Sequence, residues 1–197
     1  LELGFEIDLI GFETVEIDNL ILQQDSAKKA DVADRVEFPA ADDVAVSARG
    51  DLWTCDQHLL KCGDARLAED FESLMEREKA QIVFADPPYN VPNAGHVTAR
   101  KGVREFAMAA GEMSQSEFAQ FHASYGQSIF DFTDPGAVCY ICMDWRHLGE
   151  LRVGLDPLLG EPKNIVVWAK SNAGMGNFYR SQHEFIVVYA RPGAPHI

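Results

Sequence analysis

The residues whose types and spacing could carry chemistry are Asp86-Pro87-Pro88-Tyr89, which directly follow an apolar run at 82–85. Proline has a fixed φ and no N–H, so a strand cannot continue in a hydrogen-bonded ladder past Asp86. The sequence therefore predicts a carboxylate, a proline carbonyl and a phenol ring at the carboxyl end of a strand. Open α/β sheets bind their ligands at that end.

An exocyclic amino group on a nucleobase is a substrate that suits this set of groups. Its nitrogen is a poor nucleophile because the lone pair is delocalised into the ring. Acceptors for both N–H bonds would favour a pyramidal nitrogen in the transition state. The Asp86 side chain and the Pro87 carbonyl could be these acceptors, and Tyr89 could stack on an extruded base. The alternative is a structural turn in which Asp86 is a cap and Tyr89 packs in the interior.

The order Asp-Pro-Pro-Tyr resembles the catalytic motif of amino-group DNA methyltransferases, and its Asp form resembles the N6-adenine version. The resemblance implies S-adenosylmethionine as cofactor, double-stranded DNA as partner and methyl transfer to a flipped adenine. It implies catalytic roles for Asp86, Pro87, Pro88 and Tyr89, with Asp86 also bordering the cofactor. N4-cytosine methylation, where Ser more often replaces the Asp, stays open. A non-catalytic DNA-binding or partition-type adaptor also stays open.

The turn Gly63-Asp64-Ala65 precedes a predicted helix at 66–78, whose apolar residues share one face, and the central strand follows at once. Members of the same methyltransferase family often have this order of turn, helix and strand. The resemblance implies that Gly63, Asp64 and Ala65 border the S-adenosylmethionine site. Asp64 could instead cap the following helix.

The long connection at 91–113 contains the densest basic cluster of the chain and no clear periodicity. A connection of that kind is usually functional. We interpret it as a loop that orders over cofactor or DNA, with Asn90, Arg100 and Lys101 as DNA contacts. The alternative is a solvated loop without a function.

The C-terminal end also resembles the family: a Trp-x-Lys strand end, a loop with Asn and Phe, and a strand that opens with His-Glu. Positive side chains here could meet phosphates, and a phenyl ring could pack on a base. Glu184 is expected to support the pocket. The residues that we assign to the target base or the DNA strand are Lys170, Asn172, Phe178, Arg180 and His183.

The fold class that the sequence predicts is α/β, a Rossmann-like S-adenosylmethionine-dependent methyltransferase sheet. Alternating strands and helices predict a largely parallel sheet with helices on both faces, and the last two strands lie close enough to be antiparallel neighbours. The pattern Ser114-Gln-Ser-Glu117 is a capping box. Further predicted elements are a hairpin at 52–62, helices at 114–132 and 145–159, and strands at 139–143, 164–169 and 182–190.

The domain organisation that we predict has three parts: a segment at 1–24, a charged linker at 25–50 and the N-terminal half of the catalytic domain at 51–197. Residues 1–24 resemble the tail of a ParB-like module, or form an amphipathic docking segment. The Gly-rich cofactor turn of the family, Phe-x-Gly-x-Gly before a helix, is not found, because Gly174-Met-Gly176 precedes a strand. We therefore expect the methyltransferase sheet to be incomplete at the C-terminus.

The net charge of −14 is unusual for a protein that binds DNA. It predicts either that basic residues gather on one face or that the main DNA-binding part lies elsewhere. No apolar run reaches the roughly 20 residues of a membrane span, and no leader is visible, so we expect a cytoplasmic bacterial or phage protein; a homodimer stays open. Cys139 and Cys142 would face opposite sides of a strand, so we predict no metal site.

Overall fold

The computed structural model describes residues 44–92, 106–170 and 181–196. The chain divides between Val46 and Ser47 into two units, and every element described here belongs to the second unit. Along the chain the elements are β1 (Leu52–Cys55), β2 (His58–Lys61), α1 (Ala68–Met75), β3 (Ala80–Ala85), α2 (Gln115–Asp131), β4 (Thr133–Met143), α3 (Leu148–Leu159), β5 (Asn164–Ala169) and β6 (His183–Ala190).

The main sheet has four strands in the order β3-β4-β6-β5, and β1 pairs with β2 in a separate antiparallel hairpin, as predicted. The α/β class is confirmed. The prediction of a largely parallel sheet is wrong for the described strands, because only β3 and β4 are parallel while β6 is antiparallel to both β4 and β5. Antiparallel neighbours such as β5 and β6 need no crossover connection, and β6 inserts between β5 and β4.

The register of these strands brings four chain segments to one end of the sheet. Ala85 pairs with Ile141 near the end of β4, and Met143 pairs with Phe185 near the start of β6. Trp168, at the end of β5, pairs with Glu184. The residues after β3 therefore emerge beside the beginning of β6 and the end of β5.

Helix α2 begins where the capping box predicts. The Ser114 hydroxyl accepts from the Glu117 N–H, and the Glu117 carboxylate accepts from the Ser114 N–H. The aromatic stripe is buried as expected, and it packs against α3 and one face of the sheet. The main members of this core are Phe118, Phe121, Tyr125, Ile129, Leu151, Leu155, Leu159, Ile141, Val187 and Tyr189.

Three element boundaries differ from the sequence prediction. Helix α3 begins at Leu148, not at 145, because the Asp144 carboxylate accepts from the backbone N–H of Arg146 and of His147 and forms a turn there. Helix α1 is shorter than 66–78, since Glu76 has a positive φ of 53°. Strand β4 begins at Thr133 and includes the Pro-Gly pair, where its register with β3 shifts.

The two faces of the sheet differ in how they are covered. Val83 and Ala85 pack against the core on the face that carries α2 and α3. On the opposite face Ile82 and Phe84 are 69% and 66% exposed, and Trp168 is 52% exposed. Helices on both faces were predicted. Among the described residues, no helix covers Ile82, Phe84 and Trp168 on this second face. Among the same residues, no helix has the length and apolar character needed to cross a membrane.

Helices α2 and α3 approach closely at Gly154. A Cβ at this position would lie 2.5 Å from the Ala119 carbonyl oxygen and 2.6 Å from the His122 Cβ. By contrast, a Cβ at Gly149, in the same helix, would have no heavy atom within 4 Å. The contact at Gly154 is with backbone, which cannot move aside as a flexible side chain can.

Gly154→Ala is expected to lower the free energy of unfolding by about 1–3 kcal/mol through overpacking. The matched variant Gly149→Ala should leave it unchanged or raise it by up to about 1 kcal/mol, because alanine favours the helix. Urea denaturation followed by circular dichroism measures both. Equal effects of the two substitutions would contradict the packing described here.

His122 is a buried polar side chain in the same interface. Its Nδ1 lies 2.8 Å from the Tyr125 hydroxyl, and its Nε2 has no hydrogen-bond partner among the described residues. Burial, with a smaller contribution from His147, lowers the pKa of His122 from 6.5 to about 3. The unfolded chain therefore binds a proton at a pH where the folded chain does not.

The free energy of unfolding should fall as the pH decreases from about 6.5 toward 3, and the loss from His122 should reach about 2 kcal/mol at pH 5. In the variant His122→Leu this part of the pH dependence should disappear. Denaturant midpoints measured for both proteins at several pH values test this expectation. Parallel pH curves for the two proteins would show that His122 is not the group responsible.

Candidate active site

Strand β3 ends at Ala85, and the next four residues form a closed turn. The Tyr89 hydroxyl donates a hydrogen bond of 2.6 Å to Asp86 Oδ1. Asp86 is exposed, while Pro87, Pro88 and Tyr89 are partly buried. The two prolines give the turn a stiff backbone, so the carboxylate and the phenol ring are presented together at the strand end that the sequence predicted.

The Tyr89 hydroxyl has a second carboxylate nearby. Its oxygen lies 3.4 Å from Glu184 Oε2, and Glu184 Oε1 forms an ion pair with Lys170 Nζ. Burial and then the hydrogen bond to Asp86 raise the pKa of Tyr89 well above its usual value, with added contributions from the charges of Asp86 and Glu184. The phenol therefore keeps its proton and remains a neutral, flat ring.

Asn90 ties the end of the motif to the segment before α2. It has a positive φ of 55°, a conformation that Asn tolerates better than most residues. Its amide oxygen accepts from Gly111 N–H at 3.0 Å and Met113 N–H at 3.2 Å, and its Nδ2 donates to the Met113 carbonyl at 2.8 Å. Asn90 was predicted to contact DNA, and in the structure its side-chain amide is used inside the protein.

The segment that Asn90 holds is itself tightly folded. The Glu112 carboxylate accepts from the backbone N–H of Ala109 and of Ala110 at 2.6 and 2.7 Å. A hydrogen bond from its own backbone N–H, with smaller contributions from these two bonds, lowers the pKa of Glu112. Ala109 is fully buried in the core. A Cβ on Gly111 would lie 2.7 Å from the Pro92 ring, so a larger residue than glycine would clash where this segment passes Pro92.

The Gly63-Asp64 turn lies before α1, whose N-cap is Leu67 and not Asp64. Asp64 accepts two hydrogen bonds from the Arg66 guanidinium, at 2.9 and 2.6 Å, and one from the Arg66 N–H. These contacts, with the charge of Arg49, lower the pKa of Asp64 to about 2 despite some burial. Helix capping by Asp64 is therefore not the role that the structure gives it.

Asp70 supports this turn from the first turn of α1. Its carboxylate accepts from the Asp64 N–H at 2.7 Å, and a Cβ on Gly63 would lie 2.7 Å from that carboxylate. Ala65, the third residue predicted to border the cofactor, is exposed. Within the described residues, no hydrogen bond or ion pair joins this turn to Asp86 or Tyr89.

The residues assigned to DNA are only partly described. Lys170 lies at the end of β5 in its ion pair with Glu184, and its Nζ is also 5.4 Å from the centre of the Trp168 ring. The His183 ring packs against Phe185 with centroids 5.1 Å apart. The predicted contacts that lie outside the described residues are Arg100, Lys101, Asn172, Phe178 and Arg180.

The structure adds roles that the sequence prediction had missed, chiefly for Asn90 and Asp70. An Asn directly after a Pro-Pro turn could have indicated a left-handed residue that accepts local hydrogen bonds. The role of Asp70 has no comparable signal, since one carboxylate in an acidic helix looks like another. Glu184 was expected to support the pocket; in the structure its carboxylate is paired with Lys170, and its Oε2 lies 3.4 Å from the Tyr89 hydroxyl oxygen.

The remaining candidate groups are two buried cysteines and a cavity. Burial raises the pKa of the Cys139 and Cys142 thiols to about 11, so both stay protonated. Among the described residues no group of three or more potential ligands could hold a metal ion. A cavity of about 420 Å³ lies between α3 and β5, and no predicted site residue lines it.

The fold and site together define an α/β protein with an Asp-Pro-Pro-Tyr turn at a strand end, and comparison with known proteins specifies its family. The model of the N6/N4 DNA methylase family matches residues 80–196, from the first residue of β3 to beyond β6. Since this range is more than half of the 197 residues, the chain belongs to the N6/N4 family of DNA methylases.

One solved structure that resembles the chain is described as the crystal structure of the M1.HpyAVI-SAM complex. The two share 18% sequence identity with a TM-score of 0.39, and the match covers 64% of this chain and 49% of the other. The chain thus spans about half the length of that structure. A search of curated proteins gives no match.

Asn90→Ala should lower the free energy of unfolding by about 2–4 kcal/mol, because it removes three hydrogen bonds and leaves a Cβ in a left-handed conformation. Asn90→Gly keeps that conformation accessible, so the difference between the two variants isolates the backbone strain. The control is Asn164→Ala, where the side chain accepts from the adjacent N–H of Ile165 and makes no other hydrogen bond to the described residues. Thermal and urea denaturation measure all three variants. Equal losses of unfolding free energy at Asn90 and Asn164 would contradict the role of the Asn90 side chain in holding residues 111–113.

Proposed function

We propose that the protein is an S-adenosylmethionine-dependent DNA methyltransferase that transfers a methyl group to N6 of adenine. The observation that carries the proposal is the closed Asp86–Tyr89 turn, with an exposed carboxylate at the end of β3, in a chain of the N6/N4 DNA methylase family. The Asp at the first position of the motif favours adenine over cytosine as the target. The acidic carboxylate and the neutral ring have the chemistry that an amino-group substrate needs.

Asp86 and the Pro87 carbonyl accept the two N–H bonds of the target amino group. Because both acceptors strengthen their hold as the nitrogen gains positive charge, they stabilise the transition state more than the bound base. The phenol ring of Tyr89 stacks on the base after the base leaves the duplex. Its pKa, raised above the usual range, keeps the ring neutral during these steps.

S-adenosylmethionine supplies the electrophilic methyl group when it is bound. Asp86 is the described carboxylate that fits a cationic ligand, since it is exposed, whereas the Asp64 carboxylate is already paired with Arg66 and Arg49. We assign Gly63, Asp64 and Ala65 to the cofactor border, together with Asp86. The acidic character of the chain, with a net charge of −14, is also compatible with a cationic ligand.

Double-stranded DNA is the proposed partner. Lys170 is engaged with Glu184, so the basic residues assigned to phosphates in this proposal are Arg100, Lys101 and Arg180. Asn172, Phe178 and His183 are assigned to the border of the extruded base. The phosphate contacts hold the DNA without reading its sequence.

N4-cytosine is the second candidate target, because the family that matches the chain includes methylases of both amino groups. The two targets present the same chemical problem to Asp86 and the Pro87 carbonyl. Enzymatic digestion of DNA methylated by the protein, followed by mass spectrometry of the nucleosides, separates them. N6-methyl-2′-deoxyadenosine supports the proposal, and N4-methyl-2′-deoxycytidine replaces it with the second candidate.

Asp86→Ala should reduce methyl transfer by a factor on the order of 100 or more, because it removes one transition-state acceptor. The assay measures tritium transfer from labelled S-adenosylmethionine to DNA prepared without amino-group methylation. Glu72→Ala is the matched control, since it removes an exposed carboxylate from α1. Circular dichroism should show that both variants fold, and near-full activity of Asp86→Ala would overturn the assignment.

A further inference from the structure

Tyr89 has one hydroxyl proton and two carboxylates within reach. A phenol can donate only one hydrogen bond, so Asp86 and Glu184 compete for it. The distance of 2.6 Å to Asp86 falls in the range of a charge-assisted O–H···O⁻ bond. The distance of 3.4 Å to Glu184 is longer than a normal hydroxyl hydrogen bond. In this structure the hydroxyl proton is therefore directed at Asp86, and Glu184 is a nearby acceptor that it does not use.

Glu184 is held in place by its own partner. Its Oε1 is paired with Lys170 Nζ across the end of the β5–β6 pair, which leaves Oε2 directed toward Tyr89. The Lys170 backbone N–H donates to the Gln182 carbonyl, and the Gln182 side chain donates to the Lys170 carbonyl at 2.8 Å. The ion pair is therefore attached to a hydrogen-bonded strand end, and Glu184 cannot easily turn away.

The bond from Tyr89 engages Oδ1 of the Asp86 carboxylate and leaves Oδ2 open to a substrate amino group, but it makes the carboxylate as a whole a weaker acceptor. If the Tyr89 hydroxyl stayed bonded to Asp86 during the reaction, Asp86 would be a weaker acceptor for the substrate amino group while positive charge develops on its nitrogen. A second acceptor removes the conflict, because the hydroxyl can leave Asp86 without becoming an unpaired, half-buried polar group. Leaving a partly buried hydroxyl unpaired is unfavourable, because it loses its hydrogen bonds to water without gaining one in the protein.

We propose that Glu184, paired with Lys170, is a positioning residue that takes over the Tyr89 hydroxyl when Asp86 engages the substrate amino group. The proposal rests on the proposed function. No covalent bond changes in this exchange: the proton stays on the phenol oxygen and only its acceptor changes. The phenol ring turns little, since both acceptors lie at its hydroxyl tip.

The first test needs no methyl transfer and uses the free energy of unfolding. In the otherwise unchanged protein, Tyr89→Phe and Glu184→Leu should be nearly additive, because the hydroxyl belongs to Asp86. In the Asp86→Ala background the same two substitutions should show a coupling of about fivefold in the unfolding equilibrium constant, because the hydroxyl then bonds to Glu184. Additive effects in both backgrounds would overturn the exchange.

The second test uses the kinetics of methyl transfer, again with labelled S-adenosylmethionine and unmethylated DNA. Glu184→Leu should lower kcat about tenfold with little change in KM for DNA. Glu184→Gln keeps an acceptor oxygen and should recover part of the loss. Adding Glu184→Leu to Tyr89→Phe should cause no further decrease in kcat, since the hydroxyl that Glu184 receives is then absent.

A matched control exists elsewhere in the fold. The Tyr189 hydroxyl donates to Asp156 Oδ1 at 2.9 Å, and Asp156 is paired with Arg152, so a phenol, a carboxylate and a basic side chain also occur together outside the motif. Tyr189→Phe should lower stability as a lost hydrogen bond does, with kcat unchanged.

A loss in Glu184→Leu that raises KM alone, or that adds fully to Tyr89→Phe, would overturn the positioning role. If the full-length protein transfers no methyl group, the proposed function fails. The stability test then still decides whether the hydroxyl can pass to Glu184.

Discussion

The two prolines after β3 impose the constraint on which the rest of the site depends. Because neither can donate to a ladder, β3 cannot continue past Asp86. It ends at Ala85, and the parallel pairing with β4 fixes where that end lies. The chain then folds back so that Tyr89 reaches Asp86 within one turn. The position of the carboxylate is thus set by backbone covalent structure and sheet register before any ligand binds.

The same end of the sheet receives Lys170 and Glu184 because β6 lies between β4 and β5. An antiparallel β6 begins where the parallel strands end, so its first residues meet the motif. Asn90 then secures the other side by tying the chain to Met113 and to the start of α2. The motif is therefore held from two sides by elements distant in sequence, and the aromatic face of α2 anchors one of them in the core.

Much of this could be predicted from local sequence signals. The capping box at Ser114, the strand at 164–169 and the exit at Asp86 follow from backbone chemistry that acts within a few residues. The strand order could not be predicted, because periodicity does not say which neighbour a strand pairs with. The contact from Tyr89 to Glu184 spans 95 positions and depends on that order, so it appears only in the folded chain.

The uncovered side of the sheet has a consequence for how the isolated chain behaves in water. Large apolar side chains are exposed there, namely Ile82, Phe84 and Trp168. Removing such a surface from water favours association with other apolar surfaces. Because this attraction weakens on cooling and strengthens with kosmotropic salts, ammonium sulfate should drive the chain onto hydrophobic resins early. Cold, low-salt buffer should keep separate molecules apart.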